Sequence, residues 1–169
     1  MNTNYPKSII TMHWLTFLLV IIVYMSSGNP IGAGWIGDLH VGGGILILVL
    51  FFIRIILIFF HQKDIPQHGV TNIYQNILFK IVKFTLYLSL FIVPVFGWLA
   101  LSSLTENFQI QSLNISLLSS VKNNYFIADI HKLLGNIFIT LVGLHACAAL
   151  IYHFIFKDNV LKSMFLKKK

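Results

Sequence analysis

Four long apolar stretches, Ile9 to Ser26, Leu39 to Phe60, Phe84 to Ser103 and Ile127 to Phe156, take up more than half of the 169 residues. A run of about 20 apolar residues matches the hydrocarbon thickness of a bilayer, where the backbone must satisfy its own hydrogen bonds. The expected fold is therefore all-α, an integral membrane four-helix bundle forming a single domain over residues 1–169. With 57% hydrophobic and only 10% charged residues, no room is left for a separate soluble domain. Lys7 followed by an apolar run ending at Ser26-Ser27-Gly28 has the outline of a secretory signal, but the run is long for one and is read as a retained helix.

Basic residues set the expected orientation. If the N-terminus is cytoplasmic, Lys7, Arg54, Lys63, Lys80, Lys83, Lys157, Lys162 and Lys167 to Lys169 lie on or near that side, and only Lys122 and Lys132 lie opposite. Ten against two is a positive-inside pattern, which predicts that both termini are cytoplasmic. The net charge of +7 is then explained by topology and by anionic lipid, not by nucleic acid, for which there is no basic groove with interleaved aromatics.

The connections are short, with one exception. Gly28, Asn29, Pro30, Gly32, Gly34 and Gly37 mark a first external loop, and His61 to Asn76, with Pro66 and Gly69, a cytoplasmic one. Leu104 to Phe126 is longer and semi-polar, and is expected to be an external connecting loop that lies on the membrane surface or caps the bundle, with substrate binding as the alternative. Pro94 should kink the third span, and Trp98 and Trp35 suit the outer interface.

Chemistry concentrates in the histidines. His131 and His145 share one span at a separation of fourteen residues. At 100° each this comes to about 1400°, nearly four full turns, so both rings project from one face, about 21 Å apart along the axis. Two ligand sites at different depths follow, because an ionisable group inside a span is a functional residue by default. Depth then assigns partners. His40 opens the second span from outside and His131 lies near the outer start of the fourth, while His13 and His145 both lie in the inner half. The expected pairs are His40 with His131 and His13 with His145.

Two axial imidazoles from different helices suit a low-spin haem devoted to electron transfer. The single Cys147 excludes an internal disulfide and a paired-thiolate metal site, and there is no Cys-x-x-Cys-His. Any haem must be held by coordination alone, as in a b-type cytochrome. Small residues stand four positions after three of the histidines, namely Gly44, Gly135 and Ala149, whereas Phe17 follows His13. The Gly42-Gly43-Gly44 run serves equally well for close helix packing. Arg54 follows His40 by fourteen residues, repeating the register at the depth of the inner site. A haem propionate or a lipid headgroup is its expected partner. Helix-to-helix hydrogen bonding or a proton path is the plainer reading of a single buried histidine, but four matched in depth favour metal ligation.

The remaining candidates are weaker. His61 and His68 are expected to be solvated in the cytoplasmic loop, His153 to sit at the inner rim, and Lys80 and Lys83 to anchor headgroups with a quinone or propionate contact as the alternative. Met12 and Met25 are read as packing residues.

The residues resemble those of the bacterial cytochrome b561 family nearly end to end. The matching elements are Ser8-Ile9 through His13-Trp14-Leu15, then His40-Val41 with Gly44-Ile45-Leu46 and Arg54, and Leu90 through Pro94 to Gly97-Trp98. The fourth span adds Asp129-Ile130-His131-Lys132, Gly143-Leu144-His145-Ala146, Ala148-Ala149-Leu150, His153 and Lys157-Asp158-Asn159. The resemblance implies a four-helix bacterial inner-membrane protein with two b haems, held by His13 with His145 and by His40 with His131. It further implies electron exchange with the quinone pool and, in some members, oxidation of external superoxide. The outer loop, with Lys122 and Lys132 its candidate cations, is poorly basic for steering an anion. Two other readings remain at this stage: a cytochrome b anchor subunit of a larger oxidoreductase, with a redox partner protein, and a histidine-lined metal or proton transporter. The latter is disfavoured by the lack of Asp and Glu in the middle of every span.

Overall fold

A computed structural model describes residues 4–28, 30–66, 73–157 and 160–165. Four long helices dominate: α1 (Lys7–Met25), α2 (Trp35–Phe60), α3 (Ile73–Leu104) and α4 (Tyr125–Phe154). Each is long and apolar enough to cross a membrane. The bundle is all-α except for the stretch between α3 and α4, where β1 (Phe108–Ile110) and β2 (Leu113–Ile115) form an antiparallel hairpin with Ile110 opposite Leu113, followed by a 3-10 turn at Ser119–Val121. A short helix α5 (Val160–Ser163) follows α4.

Local chemistry explains the ends. Pro6 precedes the first turn of α1, and its carbonyl accepts from the Ile10 N–H. At the other end Ser26 closes α1, its hydroxyl donating to the Val23 carbonyl at 2.9 Å. Gly34 takes a left-handed φ of 56° before α2, a conformation open to glycine. Gly37 is required by space, since a Cβ there would stand 2.1 Å from the Pro30 carbonyl oxygen. The third helix starts at Ile73, well before the Phe84 expected from hydropathy, so Ile73 to Asn76 belong to the helix and not to the preceding loop. Lys80 and Lys83 end an apolar run but do not oppose helix, because lysine is a good helix former.

Helix contacts run in sequence, α1 on α2, α2 on α3 and α3 on α4, while α1 and α4 make no comparable approach. The buried centre is one layer with a residue from each helix, Val20, Ile47, Leu90 and Phe138. Val20 follows His13 by seven residues, Ile47 follows His40 by seven, and Phe138 lies seven from both His131 and His145. Seven residues are two helical turns, so histidines lie on the same faces as this layer, about 10 Å above and below it.

The described ends of the chain meet at one end of the bundle. The Tyr5 N–H donates to the Ser163 carbonyl at 3.2 Å, Asn4 Nδ2 to Phe165 O at 3.3 Å, and Trp14 Nε1 to Met164 O at 2.8 Å, while the Trp14 and Phe165 rings lie 5.5 Å apart. At the opposite end the hairpin is tied down by Trp98 Nε1, which donates to Ser116 O at 2.8 Å, and by the Leu118 N–H, which donates to the Ser102 hydroxyl. The expected external loop is thus a cap packed on α2 and α3. His68, Asn29, Gly69, Asp158, Asn159 and Lys167 to Lys169 lie outside the described residues.

Candidate functional site

Packing brings the four histidines together as two pairs. At the hairpin end the His40 and His131 ring centres are 6.1 Å apart with their planes at 75°; at the terminal end His13 and His145 are 6.4 Å apart at 74°. A direct N–H···N bond of about 2.9 Å would draw two imidazole centres to about 5.1 Å, so neither pair is hydrogen-bonded to itself. The two rings of each pair stand edge to face, near but not bonded to each other. His13, His40 and His131 are half-buried, and His145 is exposed on the loosely packed side between α1 and α4.

Each ring is held differently. His40 Nδ1 donates to the Val23 carbonyl at 2.9 Å. That carbonyl is in the last turn of α1, where helix carbonyls lack helical partners, so the end of one helix orients the ligand of the next and leaves Nε2 available. His131 packs on Gly97 of α3, three residues after Pro94: a Cβ on Gly97 would stand 3.0 Å from its Cε1. Its buried Nδ1 lies by the Val93 carbonyl, outside good hydrogen-bond geometry. His13 Nδ1 accepts from Arg54 Nη2 at 3.2 Å, and the Arg54 guanidinium also lies 5.2 Å over the Tyr87 ring. Arg54 Nε is buried with no partner among the described residues. Tyr5 closes this end, its phenol raised above the ordinary value by burial, with Tyr87 adding to the shift and Arg54 opposing it.

The glycine run divides its two expected uses among its members. Gly43 serves packing, since a Cβ there would meet Val23 Cγ2 at 2.4 Å. Gly42 faces Ile110 of the hairpin at 3.6 Å, and Gly44 faces open space, as do Gly135 and Gly143 on α4. Open space therefore lies beside His40 and His131, whereas Gly143 stands on the face of α4 opposite His145. Tyr87, Gly97 and the Val23 carbonyl had no sequence signal as site components. His61, expected to be solvated, donates through Nδ1 to Leu57 O at 3.0 Å and caps α2. His153 packs on Phe154, and Lys80 and Lys83 are exposed. Among the described residues no three His, Cys, Asp or Glu side chains converge as a closed metal site would need.

The sequence pattern of the prokaryotic cytochrome b561 family matches residues 4–167. The chain belongs to that family. It is similar to a probable superoxide oxidase CybB of Yersinia pestis, at 28% identity over 100% of this chain and 99% of the relative. It is also similar to cytochrome b561 homolog 1 of Escherichia coli strain K12, at 27% identity over 98% of this chain and 99% of the relative. As a prokaryotic cytochrome b561, the chain is a multi-pass membrane electron-transfer protein of the b-haem type. The residues fit such a group: imidazoles in two close pairs, open space beside His40 and His131, a half-buried guanidinium with a spare donor, and no thiolate pair to compete.

Proposed function

We propose that this cytochrome carries two b haems, one between His13 and His145 and one between His40 and His131, and moves electrons between a donor at the hairpin end and the membrane quinone pool. The ring separation is the observation that carries the reading. A metal–imidazole bond of about 2 Å plus about 1.1 Å from nitrogen to ring centre, taken twice, would put two imidazoles that hold one iron about 6.2 Å apart, centre to centre. The measured separations, 6.1 and 6.4 Å, bracket that value. When bound, such a haem passes single electrons and offers no open iron position.

The protein's part is positioning. Val23 fixes the His40 tautomer, Gly97 seats the His131 ring, and Arg54 supplies the positive charge that a propionate takes up. If His13 ligates through Nε2, its Nδ1 carries the proton and no longer accepts from Arg54, which turns the guanidinium toward that anion. The terminal end faces the cytoplasm, by the basic residues grouped there, and the membrane is the bacterial inner membrane. Superoxide is the proposed donor by similarity to the Yersinia pestis protein. Lys122, though, is ion-paired with Glu106, so steering of an anion at that end falls to Lys132 among the described residues.

Pyridine haemochrome assay of the purified protein tests the cofactor reading, with about two haems per chain expected. His13→Ala and His145→Ala should each remove the same haem, and His40→Ala and His131→Ala the other. A colourless protein, or loss of different haems within one pair, refutes the assignment. Quinone-dependent superoxide consumption decides the donor.

A further inference from the structure

We propose that Tyr24 and Asn136 form a docking site for the head group of a membrane quinone, opening to lipid between α1 and α4. The proposal rests on the reading that quinone is this cytochrome's redox partner and assigns that partner a place.

The Tyr24 hydroxyl donates to Asn136 Oδ1 at 3.1 Å, bridging the two helices that are not packed on each other. Both side chains are exposed, Tyr24 at 40%, and both lie within membrane-crossing helices, so their surface meets lipid. In hydrocarbon no water satisfies a polar group, and a carboxamide placed there must find protein or ligand partners. The Tyr24 bond uses one acceptor position of Asn136. The main-chain carbonyl of Asn136 is taken by the Thr140 hydroxyl at 2.8 Å, and its Nδ2 donates to no group among the described residues. Two Nδ2 N–H donors are thus left at an exposed side chain of α4.

Their position links them to the hairpin-end histidines. Tyr24 directly follows Val23, whose carbonyl holds His40. Asn136 follows His131 by five residues, about 7 Å nearer the bundle centre. A quinone has apolar faces and two carbonyl acceptors, which suit the carboxamide N–H groups that Tyr24 holds in place through its bond to Oδ1. The reduced quinol presents hydroxyl donors, which suit Oδ1. One Asn therefore serves both oxidation states without rearrangement. An interhelical tie with no ligand role would need only the Tyr24 bond and would leave the Nδ2 donors costly in lipid.

The test uses the full-length, haem-loaded protein in lipid nanodiscs, reduced with dithionite and then mixed anaerobically with decyl-ubiquinone, each quinone taking up two electrons and two protons from water. Tyr24→Phe and Asn136→Leu should each raise the half-saturating decyl-ubiquinone concentration about tenfold, the size of one lost hydrogen bond, with haem content and maximal rate retained. Asn136→Gln should recover part of the loss. An unchanged half-saturation in Tyr24→Phe, which removes one hydroxyl only, overturns the site, and it decides alone if Asn136→Leu does not assemble. If the unsubstituted protein is not reoxidised at all, the quinone reading fails instead.

Discussion

Arg54 Nη2 donates to His13 Nδ1 at 3.2 Å, joining α2 to α1 at the terminal end of the bundle, with the Tyr87 ring of α3 5.2 Å beneath the guanidinium. A half-buried cation next to the iron proposed for this end would disfavour the ferric state, which carries one more positive charge. Arg54→Gln should therefore lower the midpoint potential of the haem at that end. A tenfold change in a one-electron equilibrium corresponds to about 60 mV, and a redox titration should show a drop of this order in one haem, with the other unchanged. Arg54→Lys should keep most of the potential.

The near-perpendicular ring planes, 74° and 75°, carry a spectroscopic consequence. Crossed axial imidazoles leave the two iron orbitals that bond to them nearly equal in energy. The oxidised protein should then give strongly anisotropic low-spin EPR signals. A rhombic three-line spectrum would show that the rings turn toward parallel on binding.

Gly97→Ala should disturb the hairpin-end site selectively. Its Cβ would stand 3.0 Å from His131 Cε1, and overpacking of this kind costs about 1–3 kcal/mol. Alanine's better helix propensity offsets about 1 kcal/mol of that. Reduced haem content or a shifted spectrum in one haem, with the other intact, is the expected result of reduced-minus-oxidised spectroscopy.

Phe138 fills the buried layer midway between the two histidine pairs. Phe→Ala costs about 3–5 kcal/mol in soluble cores. The unfolded reference in a membrane already lies in lipid, so mainly packing is lost, and Phe138→Ala should destabilise by about 2 kcal/mol in a detergent unfolding titration. With the two haems proposed above, electron exchange between them should slow as well, because Phe138 belongs to the layer between the two histidine pairs.

The hairpin cap should respond to Trp98. Trp98→Phe removes the bond to Ser116 O, worth about 1 kcal/mol, and should raise the rate of limited proteolysis across residues 108–115. Acid should loosen the same region. Lys122 holds the Glu106 carboxyl below the usual carboxylate range, first by hydrogen bonding and then by charge. Its contribution is present above the ordinary carboxylate pKa and is lost as pH falls through the lowered one. The effect is small for so exposed a pair.

Much of this architecture was legible in the chain itself. Bilayer thickness and backbone hydrogen bonding leave one solution for four apolar runs of this length, and fourteen residues between His131 and His145 place two side chains on one face of any α-helix. Both are local properties, set by rise and rotation per residue. Hydropathy misplaced the start of α3, because charge marks where a chain leaves lipid and not where its helix begins. It also gave no sign that Leu104 to Phe126 folds into a hairpin, since three-residue strands are too short for a period to register.

Only the tertiary structure decided which groups stand around each ring. Val23 and Gly97 reach the histidines from other helices, Tyr87 lies under Arg54, and Tyr24 meets Asn136 across 112 positions of sequence. Those contacts depend on how far each helix is rotated and tilted against its neighbour. That is fixed by close approaches such as Gly43 on Val23, which involve two elements at once and leave no period in either.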